Sequence, residues 1–130
     1  MSQFLRSNFG SINLLRWVAA VLAVTLLLLV AQPATAAGPG FRSQQQFEQH
    51  YSKHGSEFGR ISKADYLRLA QELRDAPLSA NILREIRGDG VITKFDRKRG
   101  YFGAYNRDGT IRTFFIPNNG ERYFRRQARR

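Results

Sequence analysis

The sequence predicts an α+β fold in which two N-terminal helices pack on a small antiparallel sheet of three to four meander strands, after a cleaved signal peptide. Two observations predict the folded part: apolar residues recur at three- and four-residue steps over residues 43–75, and the period becomes alternating after Pro77. The composition of the first 36 residues predicts the signal peptide. We therefore divide the chain into a signal peptide (1–36), a flexible linker (37–42) and one domain (43–130).

The N-terminal segment has the three parts of a secretory signal. Arg6 and Arg16 flank the start of an uncharged run rich in Leu, Val and Ala over residues 17–31, and residues 34–36 form a small-x-small cleavage site. The apolar run is about 15 residues long, against the ~20 that span a bilayer. We expect cleavage after Ala36, secretion to the periplasm or the medium, and no stable membrane association afterwards.

Two helices are predicted in the first half of the domain. The first begins near Ser43 and carries one face of aromatic and histidine side chains, namely Phe47, His50, Tyr51, His54 and Phe58. Gly55 is expected to stop this helix. The second helix has Ser62 as its N-cap, with Asp65 three residues on, and ends at residues 75–77.

Four segments of alternating hydrophobicity follow, separated by short turns that contain glycine. They cover residues 82–87, 91–96, 101–106 and 110–116. Turns this short join antiparallel neighbours, which predicts a meander. The first segment also fits a helical turn, and residues 118–130 fit either a last short helix or a frayed tail. Two helices on one face of such a sheet would leave the other face for a ligand.

The chain is strongly basic and contains no cysteine. Its formal net charge is +11, and because the predicted signal peptide holds two of the 21 basic residues and none of the 10 acidic ones, +9 stays with the rest. A short, arginine-rich chain of this charge indicates a polyanionic partner, with nucleic acid ahead of a membrane surface or an acidic glycan. The lack of cysteine excludes disulfides, cysteine-based zinc sites and a cysteine nucleophile.

The sequence has two histidines, His50 and His54, four residues apart on the same predicted helix face. This spacing can hold zinc, but no third ligand is evident, and Tyr51 stands where the metalloprotease motif has its general base. We therefore expect no metal and no cofactor. A half-buried histidine among aromatic neighbours is the simpler interpretation of His50.

His54 is the better candidate for proton transfer. Lys53 precedes it, the predicted helix ends beside it, and Glu57 lies within reach. RNA brings its own nucleophile, the 2′-hydroxyl beside each phosphate, so a protein that cleaves RNA needs a base, an acid and cations, and no metal. One histidine with nearby Lys and Arg side chains can supply these groups.

The segment 110–116 offers the second half of such a site. In a regular strand Ile111, Thr113 and Phe115 share one face, and both faces of the segment mix polar with apolar groups. Periodicity therefore leaves open which face is buried. If Thr113 and Phe115 are exposed, a hydroxyl for a phosphate and a ring for a base stand side by side, as in proteins that bind single-stranded RNA.

Several blocks of the sequence resemble a known family of toxins. The blocks are residues 50–59 (HYSKHGSEFG), residues 64–67 with Ala70, Gly90, residues 108–117 (DGTIRTFFIP) and the pair Tyr123-Phe124. They resemble the C-terminal toxin domains of polymorphic and contact-dependent inhibition systems. Those domains are similar to the colicin D tRNase, within the barnase, EndoU and colicin group of metal-independent ribonucleases. The resemblance covers residues 50–124.

This resemblance implies a helical start, a small antiparallel sheet and cleavage of RNA, often of tRNA in or near the anticodon loop. It implies that Lys53 and His54 open the site, with His54 as the acid/base group. Thr113 and Phe115 then complete the site, where the family has Ser and Trp. If the producing cell is itself at risk, we expect an acidic immunity protein that covers the basic surface as a partner, and we expect the protein itself to be a monomer.

The resulting hypothesis is a secreted, metal-independent endoribonuclease, a toxin directed at tRNA, that leaves a 2′,3′-cyclic phosphate. The candidate catalytic residues are His54, Lys53, Thr113 and Arg112, of which Arg112 is chosen for its charge. The candidate RNA contacts are Phe115, His50 and Lys94. The alternative is a non-catalytic cationic secreted protein that binds nucleic acid or an anionic envelope surface.

Overall fold

The structure is a computed structural model that describes residues 38–130, so the predicted signal peptide lies outside the described residues. The elements follow in the order α1 (Gln44–His54), a 3-10 turn (Gly55–Phe58), α2 (Lys63–Asp75), β1 (Ile82–Ile86), β2 (Ile92–Asp96), β3 (Tyr101–Tyr105), β4 (Ile111–Phe115) and α3 (Gly120–Gln127). The predicted α+β class is confirmed. None of the described helices is long and apolar enough to cross a membrane.

Both helices that precede the sheet begin at a serine N-cap. Ser62 was predicted to be the N-cap of α2, and Ser43 was predicted only as the start of the first helix. The hydroxyls of Ser43 and Ser62 each accept a hydrogen bond from the backbone N–H three residues on, at 3.1 and 3.0 Å. These bonds satisfy N–H groups that the first turn of a helix leaves unpaired. At the other end of α1, Gly55 keeps right-handed geometry (φ −55°) and carries the chain into the 3-10 turn.

The prediction of two N-terminal helices is incomplete, because a third helix, α3, follows the sheet. This segment is rich in charged residues, which is why its sequence also fitted a frayed tail. Phe124 decides between the two, since its side chain is fully buried and stacks on Phe95 with the ring centroids 6.0 Å apart. Helix α3 thereby covers part of the sheet face that was expected to remain open.

The strands are arranged in the order β1-β2-β3-β4, and each neighbouring pair is antiparallel, as predicted. Strands β1 and β4 are therefore the two edges of the sheet. The outer edge of β4 is met by the predicted linker, where the Ile111 N–H donates to the Gly40 carbonyl at 2.9 Å and Phe41 forms a bridge. This part of the linker is hydrogen-bonded to the domain, which corrects the expectation of a flexible segment.

Each face of the sheet has its own hydrophobic core. The core on the side of α1 and α2 contains Tyr66, Ala70, Leu73, Tyr105, Ile111 and Phe114. The core on the side of α3 contains Val91, Phe95, Phe102, Ala104 and Phe124. The hydroxyl of Tyr66 ties α2 to β4, because it donates to the Phe114 carbonyl at 2.5 Å.

A bulge in β4 decides which of its side chains face each core. Successive residues of β3 pair with Thr113 and Ile111, so Arg112 is an extra residue without a partner in β3. Ile111 therefore faces the helices and is fully buried there, whereas Thr113 and Phe115 face the other side of the sheet. The prediction that these three residues share one face is wrong, because the extra residue shifts the alternation by one.

Gly103 in β3 has no room for a side chain. A Cβ at this position would lie 2.1 Å from the hydroxyl oxygen of Tyr105, which donates to the Ala70 carbonyl at 2.9 Å. We expect Gly103→Ala to lower the free energy of unfolding by about 1–3 kcal/mol, as overpacking of a core does. Urea denaturation measures this loss. In the control Gly88→Ala the nearest atom, the Arg130 carbonyl oxygen, is 3.9 Å away, so equal losses in the two variants would contradict the explanation.

Candidate active site

A cleft opens where the C-terminal part of α1, strand β4 and helix α3 meet. Its volume is about 570 Å³, and it is lined by Gln49, His50, Lys53, His54, Thr113, Phe115 and Tyr123. Five of these seven residues are among the predicted site residues. The fold thus brings together candidates from two segments that lie far apart in the sequence.

Glu57 holds the imidazole of His54 in a defined orientation. One carboxylate oxygen of Glu57 lies 2.8 Å from His54 Nδ1, and the other accepts a hydrogen bond from the Ile116 N–H at 2.8 Å. The His54 side chain is 13% exposed. A carboxylate at Nδ1 favours the tautomer that carries its proton there, which leaves Nε2 unprotonated in the neutral ring. No described residue hydrogen-bonds to Nε2, so this nitrogen is available to a ligand.

His54 stands within a column of four rings. The centroids are 5.1 Å apart for Phe41 and His50, 6.0 Å for His50 and His54, and 5.0 Å for His54 and Phe115. The ring planes of each pair are inclined by only 25–29°. The column fixes the plane of the His54 ring. It also occupies one face of Phe115, so a base could stack only elsewhere on that ring.

His50 is half-buried beside His54. Its Nδ1 is buried and finds no hydrogen-bond partner within residues 38–130. Burial lowers the pKa of His50, and the positive charges of His54 and Lys53 lower it further. The lowered pKa favours the neutral form of the His50 ring, which stacks against His54.

Lys53 and Thr113 supply the other polar groups of the cleft. Lys53 lies in the last turn of α1, is exposed, and forms no ion pair with a described residue. Thr113 is half-buried, and its hydroxyl has no hydrogen-bond partner in the described part of the chain. A cation and a hydroxyl are therefore both free to contact an anion that enters beside His54.

Two predicted site residues lie outside the cleft. Arg112, the bulge residue, is exposed and donates to the side-chain oxygen of Asn106 at 3.3 Å. Lys94 is only 6% exposed, and its ammonium donates to the carbonyls of Arg74 and Ala76 at 2.7 and 2.5 Å. Those carbonyls are at the end of α2, so Lys94 stabilises the negative end of that helix. The structure therefore brings neither cation to the predicted site.

Sequence analysis assigned no role in the site to Glu57 or Tyr123. Glu57 was recognised as a neighbour of His54 through its three-residue spacing, but its contact with Ile116 depends on the folded position of β4. Tyr123 comes from α3 and meets Phe115 edge to face, with the ring centroids 5.3 Å apart. Residues 118–130 fitted either a short helix or a frayed tail, so the sequence did not place Tyr123 at the site.

Comparisons with known proteins assign no family, since no protein-family model and no curated protein matches the chain. Within residues 38–130, no group of three or more His, Cys, Asp or Glu side chains is placed to hold a metal ion. The cleft contains an imidazole that a carboxylate holds in place, with a cation and a hydroxyl beside it. Such groups can bind a phosphodiester, and the imidazole can transfer a proton from an attacking hydroxyl or to a leaving oxygen.

The lowered pKa of His50 predicts a specific loss of stability in acid. Below about pH 6.5, His50 is protonated in the unfolded chain but binds a proton more weakly in the folded chain. The free energy of unfolding therefore falls as the pH decreases. In His50→Phe, which keeps a ring between Phe41 and His54, this contribution is absent. Thermal denaturation between about pH 7.5 and 5 should show a smaller loss for the variant, across the range where histidine titrates. Parallel losses in both proteins would contradict the assignment.

Proposed function

We propose that the protein is a secreted, metal-independent endoribonuclease that cleaves RNA, with tRNA as the expected substrate. The observation that supports this proposal is that His54, held by Glu57, shares one cleft with Lys53 and Thr113. Each of these groups has a task in phosphodiester cleavage by the 2′-hydroxyl. No task in that reaction requires a metal ion.

His54 would act as the acid/base group. Its Nε2 takes the proton of the 2′-hydroxyl, the 2′-oxygen bonds to phosphorus, and the bond from phosphorus to the 5′-oxygen breaks. The imidazolium so formed is the acid that protonates the departing 5′-oxygen. The products are a 2′,3′-cyclic phosphate and a 5′-hydroxyl, and the carboxylate of Glu57 stabilises the imidazolium between the two proton transfers.

Lys53 and Thr113 would act on the phosphate itself. Negative charge gathers on the non-bridging oxygens in the transition state, and a cation with a hydroxyl donor stabilises this charge most where water is partly excluded. Phe115 would hold the imidazole plane and offer its remaining surface to a base. These roles leave Arg112 and Lys94 outside the reaction.

The resemblance to colicin D-like toxin domains supports the same proposal. The four residues that it identifies, Lys53, His54, Thr113 and Phe115, all line the cleft. The proposed partner of the protein in the producing cell is an acidic immunity protein. It would cover the cleft and the basic surface around it.

Incubation of the purified protein with total tRNA in EDTA tests the proposed activity. We expect discrete fragments ending in a 2′,3′-cyclic phosphate, and a rate about 10²–10⁴-fold lower in His54→Ala, the usual contribution of a general acid or base. Arg84→Ala is the control, because this exposed arginine lies on β1, at the edge of the sheet opposite β4. Salt-sensitive binding of tRNA without cleavage would instead support the non-catalytic cationic protein.

Glu57→Gln separates the orienting role of Glu57 from a purely structural one. The amide cannot balance the charge of the imidazolium, so we expect kcat to fall at least about tenfold, as in other sites whose histidine loses its carboxylate partner. KM should change little, because the residue does not contact the substrate. A loss confined to KM, or one that follows the decrease in thermal stability, would contradict this role.

A further inference from the structure

The arginines around α3 fall into two sets with different partners. Arg97 and Arg125 are ion-paired to Glu121, at 2.7 and 3.0 Å, and Arg125 also lies 3.4 Å from Glu85. These contacts hold the pKa of Glu121 at about 2, chiefly through its hydrogen bond with Arg97. The charges of this first set are thus already compensated within the fold.

The second set has no such compensation. It includes Arg122 and Arg126 on α3, and Arg129 and Arg130 beyond its end, all of which are exposed and form no ion pair with any residue in the described range. At the helical angle of 100° per residue, Arg122 and Arg126 occupy a sector beside the one that holds Glu121 and Arg125. Helix α3 therefore presents a ridge of unpaired cations, of which Arg126 is closest in angle to Tyr123.

Tyr123 connects this ridge to the cleft. Its ring lies edge to face with Phe115 and Phe102, with centroid distances of 5.3 and 5.0 Å, and it lines the cleft that contains His54. The guanidinium carbon of Arg126 is 5.9 Å from the centroid of the Tyr123 ring. The Tyr123 hydroxyl has no hydrogen-bond partner within residues 38–130. A hydroxyl without a hydrogen-bond partner and an arginine without an ion pair therefore belong to neighbouring side chains, of which Tyr123 lines the cleft.

We propose that Tyr123 and Arg126 form a second phosphate subsite, which binds the backbone phosphate next to the one attacked at His54 in a single-stranded RNA. The proposal rests on the proposed function for the position of the attacked phosphate. Arg122 continues the same ridge and contacts a phosphate further along the chain. Arg125 takes no part, because its guanidinium is held by two carboxylates.

The chemistry of the subsite fits a phosphodiester better than a carboxylate-bearing metabolite. A guanidinium and a phenol offer several N–H donors and one O–H donor to the oxygens of a phosphate. The adjoining cleft walls are aromatic rings, which suit the exposed bases of an unpaired strand. A row of arginines at helical spacing can follow the repeated charges of such a strand and release its counterions.

The test is the binding of the purified protein to a short 2′-O-methyl RNA, which cannot be cleaved because its 2′-oxygen carries no proton. Arg126→Ala and Arg125→Ala are a matched pair, since each removes one formal charge from a neighbouring position of α3. We expect Arg126→Ala to raise Kd several-fold and to reduce the slope of log K against log salt by about 0.7. Arg125→Ala should leave both quantities nearly unchanged. Tyr123→Phe should raise Kd without changing the slope.

Equal effects of the two arginine variants would overturn the proposal, because binding would then follow net charge and not position. On a cleavable RNA, Arg126→Ala should raise KM at constant kcat, and a loss confined to kcat would also overturn it. The two proposals fail separately. If the position-dependent binding is found but the RNA is not cleaved, the ribonuclease proposal fails and the subsite stands. If RNA is cleaved and the two variants bind equally, the subsite proposal fails and the ribonuclease proposal stands.

Discussion

The carboxylate of Glu57 is the interaction on which the geometry of the cleft depends. It belongs to the turn that follows α1, yet it bonds both to His54 and to the backbone at the end of β4. One wall of the cleft is α1 and the other is β4, so this single group fixes their separation. Its side chain is 32% exposed, which means that water competes for both bonds and that the surrounding rings must supply the remaining rigidity. The column from Phe41 to Phe115 contributes to this rigidity, because each ring packs against the next.

Most helices and strands of the fold could be predicted from the sequence because they depend on local signals. The Ser62 cap, the glycine-containing turns and the alternation after Pro77 each act over a few residues, and each of them predicted the element that forms. The meeting of His54 with Thr113 was predicted by resemblance. Periodicity could not predict it, since it depends on which face of β4 packs against the helices and that face carries no clear polarity of its own.

The residues that were misplaced are those whose position depends on long-range packing. Lys94 is a cation in an alternating strand, and nothing local indicates that the carbonyls at the end of α2 accept hydrogen bonds from its ammonium group. Helix α3 has few apolar residues, so its stability comes from burying Phe124 and from the ion pairs of Glu121. The local sequence of this segment shows only that it is basic, because the helix depends on a folded sheet against which Phe124 is buried. Tyr123 could not be assigned to the cleft for the same reason.

The bulge at Arg112 affects how β4 aligns with the corresponding strand of a related sequence. Because Arg112 is the supernumerary residue of β4, its removal would leave a regular strand in which Ile111 still faces the helices and Thr113 still faces the cleft. A homologue one residue shorter at this point would conserve the site, although its strand would look out of phase in an ungapped alignment. The correct alignment opens a gap of one residue opposite Arg112. Sequence searches that penalise such a gap inside a strand would separate proteins whose clefts are equivalent.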